Sequence, residues 1–437
     1  MVTGGRVPVS PAPGVAARRQ HLRVDGPRLL ARIERLRAVG ATPAGGVSRL
    51  AFTPDDTRGR ELVASYLRAA GMGVEVDPAG NLIGRRLGAR PDRPWLVLGS
   101  HLDTVPDGGP LDGAYGVLAA VEVAHVLAEH GVEMGFPVAV IGFMNEEGAF
   151  GTPGMWGSHA FAGQFDRTWL SGVDSRGEPV RDLLRAAGGD PGRVPRAAWP
   201  DGSVGAYLEL HIEQGPVLET EGYPIGVVTA ITGRVTIDVT VRGQANHAGT
   251  TPIALRRDAL VAAAQFVLAV RDIAGEDGIV RVATVGCCTV EPDAWNVVPG
   301  LVRLRADLRD VAEESLDAAV EALRRVAEKI GAETGTVVEL APSQVVQPMA
   351  CDGRLRRLIS AASDALGLPY HHLPSGAGHD AQIVGRLAPM AMIFVPSQGG
   401  RSHVATESTA PEDIVAGANV LLHTVLGYDP EVMRGHQ

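Results

Sequence analysis

Six residues spread from position 101 to position 403 are the ones whose types could do chemistry together: His101, Asp112, Glu146, Glu147, His211 and His403. Each ends an apolar or alternating stretch and stands beside glycine or small residues, in the blocks GSHLDTVPDGGPLDGAYGVL, FMNEEGAFGTPGMWGSHA, ELHIEQG and GGRSHVATE. Imidazoles combined with carboxylates are the nitrogen and oxygen donor set that suits zinc, and also manganese, cobalt or nickel. Taken singly, each signal is weak. A strand-end histidine is more often a hydrogen-bonded structural residue, and paired glutamates are usually a solvated face. The conjunction points to a metal centre. Asp103, two residues past His101, points the same way along an extended chain and is expected to hold the His101 imidazole through its other nitrogen. Ser100 faces the opposite side and no Gly-x-Ser-x-Gly elbow is present, so a serine nucleophile has no support.

A scaffold has to bring these residues to one place. WLVLGS (95–100) and FPVAVIGFMN (136–145) are unbroken apolar runs, as expected of strands covered on both faces, with a helix over 115–130 between them. Strand, crossover helix and parallel strand put ligand sites beyond the carboxyl ends of the strands, where His101 and Asn145-Glu146-Glu147 lie. Leu29, Ile33 and Leu36 recur at helical spacing, and Glu61 to Ala70 continues that pattern after a Thr53-Pro54-Asp55 start signal.

Near residue 226 the texture changes. VTIDVTVRG (235–243) alternates Val235, Ile237, Val239 and Val241 with polar neighbours, the mark of a sheet with one wet face. The order then reads strand 235–242, helix 256–274, strand 279–290, strand 301–309 with Val302, Leu304, Ala306 and Leu308 inward, helix 312–331 and strand 336–340. This is the β-α-β-β-α-β order of a ferredoxin-like sandwich. Helix 352–366, strand 390–395 and helix 411–427 return to the first texture. The fold class expected is α/β: a catalytic domain with a mostly parallel, helix-covered sheet, interrupted by an inserted ferredoxin-like α+β domain. The divisions expected are a flexible Pro/Ala/Gly tail over 1–24, a first domain part over 25–225, the insertion over 226–346, and a second domain part over 347–437.

At 437 residues the chain is too long for one ordinary core. A formal charge of −10 without a basic stripe argues against nucleic acid or an anionic membrane as partner and for a small molecule. No apolar run reaches the roughly 18 residues of a spanning helix, and the start lacks the apolar segment of a signal peptide. Cys287, Cys288 and Cys351 are too few for a disulfide framework and lack a Cys-x-x-Cys spacing. They read as buried thiols in a reducing cytoplasm.

Seven blocks, from GSHLDTVPDGGPLDGAYGVL through FMNEEGAFGTPGMWGSHA, ELHIEQGPVLE, VRGQANHAGTTPIALRRDAL, NVVPGLVRLRADLRD and SGAGHDA to PSQGGRSHVATE, resemble in order the zinc-dependent amidase/hydantoinase/carbamoylase family. That family includes N-carbamoyl-L-amino-acid hydrolase, β-ureidopropionase and allantoate amidohydrolase, and is distantly related to the aminoacylase and carboxypeptidase metallopeptidases. The resemblance runs from about residue 25 to 427. It implies two divalent ions per subunit, zinc first among them, with Asp112 bridging, His101 and His211 on one ion, and Glu147 and His403 on the other. It makes Glu146 the general base. It assigns Asn296 and Arg309 to a substrate carboxylate, His247 to the developing oxyanion, and Gln214 and His379 to the ureido end. It also implies a homodimer formed through the inserted domain, which would act as a lid, with His247 reaching the neighbouring subunit, and a cis peptide after Asp112. His211 stands where the wider peptidase group has an acid, which points to the carbamoyl and ureido branch. His159 stands where that family has an arginine.

The activity implied is hydrolysis of the carbamoyl group of an N-carbamoyl-L-amino acid or related ureido acid, giving amino acid, carbon dioxide and ammonia. Divalent ions that polarise a carbonyl and lower the pKa of a bound water supply what an unreactive ureido group lacks. Allantoate hydrolysis is the alternative within the enzyme class. A ureido-binding protein without turnover is the alternative outside it, and Glu146 argues against that reading because a binder has no use for a base.

Overall fold

The structure is a computed structural model and describes residues 21–275 and 278–431. The chain divides into two compact units. Among the described residues the first comprises 21–229, 351–373 and 379–431, and the second comprises 230–275, 278–350 and 374–378.

The first unit opens with helix α1 (Gly26–Arg37), capped by the Asp25 carboxylate on the Arg28 N–H, and helix α2 (Pro54–Ala69), capped by the Thr53 hydroxyl. Strands β1 (Gly73–Val76), β2 (Leu82–Arg86) and β3 (Trp95–His101) follow, then helix α3 (Ala114–Glu129) and strands β4 (Val138–Phe143), β5 (Val204–Ile212) and β6 (Ile225–Ile231). In the second unit come β7 (Gly233–Arg242), β8 (Asn246–His247), helix α4 (Ala259–Asp272), β9 (Val282–Glu291), β10 (Val297–Val298), β11 (Leu301–Asp310), helix α5 (Glu313–Thr334), β12 (Val337–Val346) and β13 (Met349–Ala350). Helix α6 (Gly353–Leu366), β14 (Tyr370–Ser375), β15 (Met390–Val395) and helix α7 (Pro411–Gly427) lead the chain out.

The large sheet runs β1-β2-β4-β3-β5-β15-β6. Its four central strands, β4, β3, β5 and β15, are parallel, and the flanking pairs are antiparallel. Every residue of β4 and β15 is buried, and all of β3 except Trp95 is buried, because helices cover both faces. Helix α3 is buried over most of its surface and packs on β3, β5 and β4. Parallel strands end together, so the carboxyl ends of β3, β4, β5 and β15 form one rim.

In the second unit the sheet order is β12-β7-β11-β9, antiparallel throughout. Val235, Ile237, Val239 and Val241 of β7 and Val302, Leu304, Ala306 and Leu308 of β11 are buried against Phe266 and Val270 of α4 and Leu316, Leu323 and Ile330 of α5. Strand β12 extends past the expected residue 340 to Val346, with a register shift after Pro342.

Three expectations need correction. The tail predicted over 1–24 lies mostly outside the described residues, and its described end is tied down: Val24 is buried, its N–H donates to the Asn419 side chain at 3.0 Å, and the Leu22 carbonyl lies 3.0 Å from His423 Nε2. Cys287 and Cys288 are exposed, because β9 is the outer strand of its sheet, whereas Cys351 is buried and its thiol is pushed up to about 12 by burial. The peptide after Asp112 is not cis. The turn there is made by Gly113 at φ 61° and ψ −50°.

Candidate metal centre

The site is assembled at the rim of the large sheet, entirely from the first unit. His101 is the last residue of β3, and His211 is the penultimate residue of the adjacent parallel strand β5. Glu146 and Glu147 follow β4 through Asn145, which is held in the left-handed region at φ 54°. The Asn145 side chain fixes that turn by accepting the Ala149 N–H at 2.8 Å and donating to the Thr152 hydroxyl at 3.0 Å and the Pro153 carbonyl at 2.9 Å. His403, at φ 60°, lies in the loop after β15. Left-handed backbone at non-glycine residues costs free energy and persists where the surroundings over-determine it. Gly113 has to be glycine for space as well as φ, since a Cβ there would lie 2.4 Å from three atoms of the His101 ring.

Asp112 is the meeting point. Its Oδ1 is 3.4 Å from His101 Nε2 and 3.2 Å from His211 Nε2, and its Oδ2 is 3.1 Å from His403 Nε2, which is also 3.3 Å from Glu147 Oε1. Among the described residues two groups therefore share Asp112: His101 with His211, and Glu147 with His403. The Glu146 carboxylate approaches His101 Nε2 at 3.9 Å, and its side chain is 9% exposed. His403 is the open member at 48%.

The ring tautomers show what this cluster fits. His101 Nδ1 lies 3.0 Å from the Asp103 carbonyl and His211 Nδ1 lies 2.8 Å from the Ile212 carbonyl. A carbonyl only accepts, so each Nδ1 carries a hydrogen and each ring turns Nε2 to Asp112, where a neutral ring would present its lone pair. Lone pairs of two imidazoles converging on a carboxylate call for a shared cation, and the donor set fits a divalent metal ion. The carboxylates around the rings favour positive charge at the same place, which a proton supplies when no cation is bound. Burial lowers the basicity of His101, but Glu146, Asp112 and Asp103 outweigh it and raise its pKa well above the usual imidazole value. His403 is pushed up to about 10 by Asp112 and Glu147. Burial would push Asp112 up, yet the imidazoles around it hold it well below the usual carboxylate range. Burial drives Glu146 well above its ordinary value against the pull of His101.

Some predicted contacts are made by other atoms. The Asp103 carbonyl, not its carboxylate, takes the His101 Nδ1–H. The carboxylate instead accepts the backbone N–H groups of Glu146 (3.2 Å) and Glu147 (3.1 Å), clamping the turn that carries both acids. The Gln214 amide donates to Asp112 Oδ2 at 2.7 Å, so its contact is with a candidate ligand. His379 is buried edge-on against His211, with ring centroids 4.6 Å apart, and burial holds its pKa well below the usual value. Ser100 turns away as expected and donates to the buried Glu209 at 2.7 Å.

His247, Asn296 and Arg309 belong to the second unit. His247 is exposed on β8, and its Nδ1 accepts the N–H groups of Gly249 and Thr250 at 3.0 and 3.2 Å, so the ring hydrogen sits on Nε2. Asn296 is exposed. Arg309, expected to be free for a carboxylate, already donates Nε and Nη2 to Asp307 at 2.7 and 3.2 Å and Nη1 to the Gly376 carbonyl at 2.7 Å. One N–H remains on each terminal nitrogen.

Sequence reasoning missed Asn145, Ser402 and Glu407. The available signals were the polar residue directly before the paired glutamates and the carboxylate four residues after His403.

Comparison with known proteins adds three findings. The profile of Peptidase family M20/M25/M40 matches residues 97–427. An N-carbamoyl-L-amino acid amidohydrolase of Geobacillus stearothermophilus is 44% identical over 402 residues, spanning 92% of this chain and 98% of the relative, and an allantoate amidohydrolase of Bacillus subtilis is 33% identical over 392 residues, spanning 89% and 94%. The crystal structure of an amidase of the hydantoinase/carbamoylase family from Burkholderia multivorans superposes with a TM-score of 0.86 at 40% identity, covering 92% of this chain and 98% of that one.

Proposed function

Because the chain belongs to Peptidase family M20/M25/M40, and within it to the hydantoinase/carbamoylase amidases, we propose that it hydrolyses the carbamoyl C–N bond of an N-carbamoyl-L-amino acid. The observation that carries this reading is the arrangement of two donor groups on either side of Asp112, His101 with His211 and Glu147 with His403, beside a third acid, Glu146, that neither group needs. These residues would hold two divalent ions. The ions, when bound, polarise the ureido carbonyl and make a water acidic enough to attack it.

Glu146 takes the proton of that water and delivers it to the departing nitrogen. The carbamoyl carbon gains the water oxygen, the C–N bond to the amino acid breaks, and the carbamic acid falls to carbon dioxide and ammonia. His247, with its hydrogen on Nε2, is assigned to the developing oxyanion, Gln214 and His379 to the ureido end, and Asn296 with the remaining Arg309 donors to the substrate carboxylate. The second unit is assigned the roles of lid and homodimer contact.

The test is a panel of N-carbamoyl-L-amino acids alongside allantoate, with ammonia release measured on zinc- or manganese-loaded protein. Turnover of at least one N-carbamoyl-L-amino acid is expected. Turnover of allantoate alone replaces the substrate assignment, and silence across the panel removes the hydrolytic reading.

A further inference from the structure

Glu407 is only 4% exposed, and its carboxylate lies directly behind the Asp112 turn. Oε1 accepts the backbone N–H groups of Leu111 at 2.9 Å and of Asp112 itself at 3.1 Å. Oε2 lies 2.8 Å from the hydroxyl of Ser402, the residue before His403, and that same hydroxyl is 2.9 Å from Asp112 Oδ2. One hydroxyl hydrogen is thus shared between two carboxylates, and the Asp112 turn and the His403 loop, which meet through a residue 295 positions from Asp112, are fastened at one point. A buried carboxylate is unfavourable unless hydrogen-bonded, and three donors reach this one.

A second observation comes from the other side of the contact. A Cβ on Gly109 would lie 2.1 Å from the carboxyl carbon and from Oε1 of Glu407. Gly109 is not in the left-handed region, so glycine is required there for the room that Glu407 takes up. The GGP sequence before Asp112 and the Glu ending HVATE are two halves of one device.

We infer that Glu407 is a positioning residue: it locks the Asp112 turn to the His403 loop so that Asp112, Glu147 and His403 meet as one ion site. This rests on the two-ion reading above. Partners behind metal ligands typically contribute 10–100-fold to metal affinity.

The experiment titrates chelator-stripped full-length protein with Zn2+ against a chromogenic chelator. Wild type is expected to take up two ions. Glu407→Gln, which keeps the side-chain shape, and Ser402→Ala should each weaken the more loosely held ion by about 10–100-fold, with kcat recovering toward wild type when Zn2+ is saturating. Gly109→Ala, which pushes on the same carboxylate without removing a hydrogen-bonding group, should give the same shift. Glu122→Gln is the control: Glu122 is equally buried but pairs with Arg28 and Arg32, so this variant should lose thermal stability and keep its zinc affinity. If Glu407→Gln binds both ions with wild-type affinity, the positioning role is overturned while the two-ion reading stands. If wild type itself takes up fewer than two ions, the two-ion reading falls and this inference with it.

Discussion

In the second unit Ile237, Val241, Phe266, Val302 and Leu323 bury carbon against carbon, whereas around Asp112 the buried atoms are imidazole nitrogens, carboxylate oxygens and the N–H groups that hold them. The β7–β11 core follows the local rules: strict alternation, helices with a matching stripe, and a sheet register that returns each apolar side chain to one face. The rim of the large sheet breaks them, with left-handed Asn145, Gln214 and His403 and with buried His101, Asp112 and His211. Local rules are broken where function requires it, so the contrast separates what makes the chain fold from what makes it react.

The largest separation should come from Glu146→Gln. This variant should keep both ions and its thermal midpoint while kcat falls by about 10²–10⁴-fold, as loss of a general acid and base implies. Near-normal turnover would return Glu146 to the ordinary buried acids. Ile237→Ala should do the reverse. Truncating a fully buried isoleucine is expected to cost about 2–5 kcal/mol in denaturant unfolding, with metal content unchanged; a loss of metal without loss of stability would mean that the two regions are not independent. The smallest effect is reserved for the thiols. Cys287 and Cys288 should react rapidly with a thiol reagent and Cys351 only after unfolding, and replacing both exposed cysteines with serine should shift stability by less than about 0.5 kcal/mol.

The same contrast explains what could be read from the sequence. Period-two alternation over 235–242 and 301–309 announces which side chains point inward, because in a one-sided sheet burial is decided residue by residue along the strand. The unbroken runs at 95–100 and 390–395 announce covered strands, and ligands stand out where those runs stop. Atom-level roles stayed hidden. Asp103 serves the site through its carbonyl on His101 and its carboxylate on the Glu146–Glu147 turn, a division that depends on how the backbone leaves β3. Arg309 reads as a free cation, yet Asp307 two residues away on the same face takes its fork. Glu407 gave no periodic signal because its partners, Leu111 and Asp112, come from the other end of the chain. The exposure of Cys287 and Cys288 follows from the outer position of β9, which is set by strand order rather than by local pattern.

The proposed function rests on two divalent ions that would share Asp112. It is tested most directly by adding Zn2+ stepwise to metal-free protein while ammonia release from an N-carbamoyl-L-amino acid is followed. Activity should rise to its maximum at two ions per chain and vanish when they are withdrawn. Full activity in excess chelator, or a maximum reached with no ion held by Asp112→Asn-sensitive binding, would contradict it.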